Sequence, residues 1–314
     1  MPKVSVIIPT IRRPLIVQTA IAGVLRQTFT DLEVVVVIDG PDPETADALR
    51  RISDPRFFVL ELSENVGLAE ARNVGVRASK GEWIAFLDDD DEWMPEKLEL
   101  QVAEAARIGG HEVLVVSRYF EKTDSMERVW PEVLPVTRER FSEYLFVNRG
   151  QLLPSTYFVS SSLVKRIPFT KGLRHIEDLD WLLRLASDPH LRIGAVAKPV
   201  AIYNNFAVPG RESRQIPWET YYLWAVSQRR LFTSRAFSLY LVKSVLPLAR
   251  EMKSPFRVRF HILATAILLG SFRPEVFFYF FASAFFSRET KRKMRELTSA
   301  RARRARVKKQ DTLQ

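Results

Sequence analysis

The sequence predicts an α/β fold with a mainly parallel central sheet, followed by a C-terminal helical appendage. Three observations carry this. Short β-branched runs alternate with helix-like segments from Lys3 to Ser117, the pattern of strands joined by crossover helices. Strand signals vanish after about Arg214. Pro9-Thr10, Asp39-Gly40 and Asp88–Asp91 stand at the carboxyl ends of apolar runs, where sheets of this kind bind their ligands.

Lys3–Pro9 reads as a buried strand. Leu15–Leu25 reads as a helix with Leu15, Thr19, Ala22 and Leu25 on one face. Leu32–Ile38 is the second strand, stopped by Asp39-Gly40-Pro41, and Pro43–Ile52 the second helix. Arg56–Leu62, Leu68–Ala78 and Trp83–Leu87 continue the alternation as strand, helix and strand. Pro95–Ile108 reads as a helix and Glu112–Ser117 as a strand, and the pattern then weakens into a loop-rich stretch as far as Asn148. Ser155–Val164 reads as a strand and a short helix, Glu177–Ser187 as a helix whose Trp181 and Leu182–Leu185 face the core, and Leu191–Tyr203 as one or two closing strands. Tyr221–Lys253 is helical. Two apolar stretches follow, Ile262–Gly270 and Val276–Phe286.

The 314 residues are 46% hydrophobic and 27% charged, which excludes a disordered or fibrous chain. Cysteine is absent, so a disulfide framework, a thiolate metal site and a cysteine nucleophile are excluded. The start shows no secretory signal, and a cytoplasmic location is expected. The net charge is +10, but residues 288–314 hold 11 Lys/Arg against 3 Asp/Glu, leaving +2 for the rest. The basicity belongs to a tail, suited to anionic lipid or nucleic acid.

Asp88-Asp89-Asp90-Asp91-Glu92 directly follows the strand WIAFL. A charge run can be a solvated face. At a strand exit, alternate carboxylates can instead share a hard divalent cation, which bridges phosphates and neutralises a diphosphate leaving group. An aspartyl-phosphate phosphatase also places Asp-x-Asp after a strand, but after the first one. No G-x-G-x-x-G follows any strand, so a dinucleotide-binding fold lacks support.

VSVIIPT, VVVIDG, NVGLAEARNVGVRASKGEWIAFLDDDDEW and IEDLDWLLRL, in that order, resemble the motifs of family 2 inverting glycosyltransferases with the GT-A fold. The resemblance covers roughly residues 1–205 and implies a nucleotide-sugar donor, UDP-linked by expectation, and a divalent cation, Mn2+ or Mg2+. It implies metal contact at Asp90, with Asp88 and Asp91 in support. Pro9, Thr10 and Asp39 match positions that hold the nucleoside, and Arg72, Asp88 and Asp89 lie at the nucleotide. Where the family has Asp-Asp-Gly-Ser, this chain has Ile38-Asp39-Gly40-Pro41. Asp178, beside Glu177, matches the general base that the chemistry requires, because a sugar hydroxyl attacks poorly until its proton is removed. Asp180 is the competing base, and acids at a helix start can also simply complement the dipole. Arg72 can alternatively pair on the helix surface with Glu70 or Glu82. Arg211 and Arg214 match a phosphate-contacting loop loosely.

Nine of the 21 Phe lie between Phe256 and Phe286. A spanning helix needs roughly 20 apolar residues. Arg273-Pro274-Glu275 interrupts the pair of stretches, so helices lying at an interface are expected instead. The expected organisation is a GT-A-like domain at 1–215, a helical, membrane-associated region at 216–287 and a basic tail at 288–314. The expected setting is polysaccharide or glycan synthesis, with a glycan or lipid-linked acceptor, on the inner face of the cell membrane. A non-catalytic sugar-nucleotide-binding protein on the same fold is the alternative. So is a nucleic-acid partner acting through the tail, disfavoured because no aromatic residues interleave the basic ones.

Overall fold

A computed structural model describes residues 2–123, 126–135, 140–148, 150–205 and 217–285. The chain forms two compact units, Met1–Ser213 and Arg214–Gln314.

The first unit is a nine-stranded sheet. Its strands are β1 (Val4–Thr10), β2 (Leu32–Ile38), β3 (Phe57–Glu61), β4 (Trp83–Phe86), β5 (Glu92–Trp93), β6 (Val113–Lys122), β7 (Glu127–Trp130), β8 (Phe158–Ser160) and β9 (Arg192–Asn204). They lie in the order β3-β2-β1-β4-β8-β6-β9-β5, with β7 hanging on β6. The pairs β3–β2, β2–β1, β1–β4 and β6–β9 are parallel, whereas β8 runs antiparallel to both β4 and β6.

Every residue of β1 and β2 is buried, as expected of strands covered on both faces. The pleat sends Val4, Val6 and Ile8 into one core and Ile7 into the other. Each such buried side chain contributes roughly 1.5–3 kcal/mol relative to exposure. Helix α1 (Pro14–Leu25), α2 (Pro43–Leu49) and α4 (Lys97–Ile108) follow β1, β2 and β5, and α3 (Leu68–Ala78) lies against β1. The α3 approach is tight, since a Cβ on Gly75 would come 2.5 Å from Ile7 Cγ2.

Two expectations need correction. Helix α1 buries Val17, Ala20, Ile21 and Val24, while Leu15 is 77% exposed. The segment PLIVQTAIAGVL is apolar nearly all round, so its spacing does not single out a face. Among the described residues, the stretch after Ser117 holds more regular structure than expected. Strand β6 runs on to Lys122 and pairs antiparallel with β7, and α5 spans Phe141–Phe146. Strand β5 is defined by pairing with the distant β9, and the end of β6 lies between β9 and the neighbouring β7. Short helices α6 (Ser161–Arg166) and α7 (Glu177–Leu185) complete this unit. Arg211, Arg214 and the tail at 288–314 lie outside the described residues.

The second unit contains α8 (Trp218–Ser227), α9 (Ser234–Tyr240), a π-helical turn at Leu241–Val245, α10 (Leu246–Glu251), α11 (Phe256–Leu268) and α12 (Pro274–Phe285). Arg235 grips Glu275 with two hydrogen bonds, 2.7 and 3.0 Å, tying α9 to the start of α12. Ser238 Oγ donates to the carbonyl of Ala266 at 2.7 Å and accepts from the Ser271 amide at 2.8 Å, fixing the turn after α11. No helix among the described residues is long and apolar enough to cross a membrane. Leu268 (80%), Phe272 (76%) and Phe278 (68%) are largely exposed.

Candidate active site

A cleft of about 780 Å³ opens at the carboxyl ends of β1, β2 and β4 and reaches the start of α7. Its walls include Thr10, Arg13, Asp39, the acidic turn Asp88–Asp90 and Glu177. It lies beside the place where the sheet changes direction between β4 and β8.

Strand β1 ends at Thr10, whose hydroxyl donates to Asp89 Oδ2 at 2.7 Å. The chain then turns through Arg12, which holds a left-handed φ of 54° and donates its amide hydrogen to Asp42. Arg13 follows, just before the proline that opens α1. Its Nη1 donates to Asp89 Oδ1 at 2.7 Å and to Asp90 Oδ2 at 3.2 Å. Burial pushes the Asp89 carboxyl up to about 6, against the opposing pull of Arg13.

Asp39 leaves β2 and braces the loop before α3. Its two oxygens accept from the amides of Val66 (2.7 Å) and Gly67 (3.0 Å). Gly40, at φ +116°, has Asn65 so close that a Cβ would meet its amide nitrogen at 3.0 Å. Pro9 and Asp39 thus both line the cleft, with Asp39 already engaged by backbone donors.

Arg72 is sealed beneath the cleft at 1% exposure. Its Nη2 donates to Asp88 Oδ1 at 2.6 Å, its Nη1 lies 3.6 Å from Glu177 Oε1, and its guanidinium sits 5.4 Å from the Phe169 ring. Phe169 in turn stacks on Trp181 of α7 at 4.5 Å. The surface pairs with Glu70 or Glu82 do not form, because Glu70 pairs with Arg77 and Glu82 with Lys3.

Asp91 is not on the cleft wall. It is buried, accepts from the Ser155 hydroxyl, and is raised well above the usual carboxylate range, chiefly by burial. The same Ser155 Oγ accepts from the Asp88 amide at 3.1 Å, so Asp91 supports the turn from behind.

Glu177 and Asp178 open α7. Asp178 Oδ1 accepts from the Leu179 amide at 2.7 Å. Burial, and then the charge of Glu177, lift its carboxyl to about 7, with Arg72 opposing. Glu177 is raised by burial as well. Asp180 is engaged elsewhere, accepting from Thr170 Oγ1 at 2.6 Å and Arg184 Nε at 2.7 Å.

Among the described residues, no three His, Cys, Asp or Glu side chains converge as a metal-binding group. The chemistry of the acidic turn nonetheless fits a hard cation. Such ions at nucleotide sites commonly take one or two carboxylates and complete their shell with phosphate oxygens and water. The Arg13 guanidinium, bridging Asp89 and Asp90, is a stand-in cation at that turn. Arg13 is the wall residue that the motif reading passed over, along with Arg12, Arg174 and His175. Its signal was the pair of arginines wedged between a strand end and a helix-opening proline.

The family model described as "Glycosyl transferase family 2" matches residues 5–171. The Escherichia coli protein "UDP-Glc:alpha-D-GlcNAc-diphosphoundecaprenol beta-1,3-glucosyltransferase WfgD" is 35% identical over 100 residues, 32% of this chain and 41% of that protein. The chain spans 66% of the length of two other curated relatives that it matches at 30% and 27% identity. The fold is similar to that of S. aureus TarS 1–349, solved in complex with UDP-GlcNAc, at TM-score 0.59 and 19% identity over 84% of this chain and 79% of that one. It is also similar to the Pyrobaculum calidifontis mannosyltransferase PcManGT, solved with GDP-Man and Mn2+, at TM-score 0.53 and 19% identity over 95% and 80%.

Proposed function

The chain belongs to glycosyl transferase family 2, and from that premise we propose that it transfers a sugar, with inversion, from a UDP-sugar to a glycan or lipid-linked acceptor. The observation that carries this reading is the opposition across one cleft of an acidic turn, Asp88–Asp90, and Glu177, the wall residue that Asp178 directly follows at the start of α7. The nucleoside lies along Pro9, Thr10 and Asp39. Asp90 and Asp88 would hold a divalent cation, which would supply positive charge to the departing diphosphate. Asp178 accepts the proton of the acceptor hydroxyl as its oxygen bonds to the anomeric carbon, while the bond from that carbon to the diphosphate oxygen breaks. The proton stays on Asp178 and the electron pair leaves with the nucleoside diphosphate. A carboxyl lifted to about 7 suits this task, since a base is most effective near the working pH. Arg72 couples Asp88 to Glu177 and keeps the two sides in register. The UDP-Glc in WfgD's name and the Mn2+ in the PcManGT complex support the donor and cation.

A membrane surface as the site of the acceptor is supported by the exposed Leu268, Phe272 and Phe278 and by the +8 tail. Apolar insertion and attraction to anionic lipid reinforce each other.

The test is a nucleotide-sugar panel read by melting temperature with and without Mn2+, because a ligand that binds only the native state stabilises it. A UDP-sugar is expected to raise the melting temperature in a Mn2+-dependent way, and NMR of the product is expected to show the inverted anomer. No shift with any nucleotide-sugar, together with no consumption, overturns the reading.

A further inference from the structure

Four arginine and histidine side chains, Arg12, Arg13, Arg174 and His175, line the same cleft as the acidic turn. Arg13 is distinguished by what it touches. One terminal nitrogen reaches Asp89 at 2.7 Å and Asp90 at 3.2 Å, so a single cationic group bridges two of the turn's carboxylates. The two contacts are unequal. Asp89 is 8% exposed and also held by Thr10, which makes it an anchor, whereas Asp90 is 28% exposed and the contact to it is longer. The Arg13 side chain is itself 37% exposed, so it has room to swing, while the backbone beneath it is pinned through the Arg12 amide to Asp42.

From these contacts we infer that Arg13 is an internal counterion of Asp90, which a divalent cation displaces, and that the freed guanidinium then grips the donor's diphosphate. The inference rests on the proposed metal-assisted transfer and adds a residue that sets metal affinity and donor affinity in opposite directions. In the free protein a cation must compete with Arg13 for Asp90. Once it has entered, Asp90 no longer needs the arginine, and the fork of guanidinium donors suits phosphate oxygens. The metal and the donor are thereby loaded together, since the donor supplies the anion to which Arg13 moves.

The experiment measures Mn2+ binding to the full chain by EPR, and UDP binding by calorimetry at saturating Mn2+, for wild type, Arg13→Ala and Arg13→Lys. Removing a positive charge a few ångströms from the cation should tighten Mn2+ binding to the free Arg13→Ala protein by roughly 5- to 30-fold. The same variant should bind UDP about 10-fold more weakly, as expected for the loss of one charge-assisted contact. Arg13→Lys keeps the charge and should stay near wild type for Mn2+ while losing part of the UDP affinity. An arginine that only stiffened the turn would weaken Mn2+ binding when removed. Mn2+ affinity that is unchanged or weaker in folded Arg13→Ala therefore overturns the inference and leaves the proposed function standing. Mn2+ binding by neither wild type nor variant, even with UDP present, overturns the metal-assisted reading and this inference with it.

Discussion

Arg72 Nη2 donates to Asp88 Oδ1 at 2.6 Å from a side chain that is 1% exposed, joining α3 to the exit of β4 beneath the cleft. The other end of the same guanidinium faces Glu177 of α7. One buried cation thus sets the distance between the two acidic walls of the site.

Replacing Arg72 with Leu strands those carboxylates. The expected loss is about 3 kcal/mol of stability, measured by urea denaturation, because breaking a buried pair leaves its partner charged and unpaired. The sign with pH follows from Glu177. Arg72 lowers its carboxyl, so the variant's is raised further, and stability is lost as pH rises from the unfolded value through the folded one. The deficit should therefore be larger at pH 8 than at pH 5.

Asp178→Asn should keep UDP binding and lose transfer by about 10²–10⁴-fold, since an amide cannot take the acceptor's proton. Asp180→Asn should instead lower the melting temperature through its contacts with Thr170 and Arg184 and leave a folded enzyme with measurable turnover. Transfer intact in Asp178→Asn and absent in Asp180→Asn would reverse the assignment.

The turnover of the wild type should rise with pH through about 7, as Asp178 loses its proton and becomes a base. Its raised carboxyl also means that folding favours the protonated form, so this group's stabilising effect fades as pH climbs from the unfolded value to about 7. The melting temperature of Asp178→Asn, relative to wild type, should accordingly increase over that window and then level off.

Lys97 gives an independent test of buried charge. It is fully buried, donates to Gln101 Oε1 at 2.6 Å and lies 3.7 Å from the Trp93 ring centroid. Burial holds its ammonium well below the usual lysine range. The unfolded chain therefore binds the extra proton, and stability is lost as pH falls from the unfolded value toward the folded one. Wild type should lose melting temperature relative to Lys97→Met as pH is lowered from 10 to 6, and parallel curves would show that Lys97 stays protonated in the fold.

Deleting residues 288–314 should weaken binding to anionic vesicles and flatten its salt dependence, each basic residue near the surface contributing roughly 1 kcal/mol. Changing Leu268, Phe272 and Phe278 to Ser should remove the salt-insensitive part. Full-length protein that sediments free of such vesicles at low salt would exclude the membrane reading.

The strand ends were legible in the sequence because β1, β2 and β4 are short apolar runs with abrupt polar stops, and these stops became the cleft wall. Asp88, Asp89, Asp90 and Glu177 came together there. What could not be read was which carboxylate turns inward. Asp91, like Asp90, sits between acidic neighbours in sequence, but Ser155, 64 positions away, draws it behind the turn. Arg13 was equally hidden, because its partners lie 76 and 77 residues ahead. The face of α1 was misjudged because an all-round apolar helix leaves the choice to tertiary packing.

Helix α7 begins at Glu177, so Asp178 and Asp180 are two helical positions apart, about 200° around the axis. This rotation gives one carboxylate to Thr170 and Arg184 and leaves the other beside Glu177. A one-residue insertion between Glu177 and Asp178 would turn everything after it by about 100° and carry both aspartates off their stations. The loop before Glu177 has no such periodicity and can absorb a length change. Tolerance to insertions should therefore drop abruptly at Ile176, a boundary that a scan of single-residue insertions through positions 171–182 would reveal.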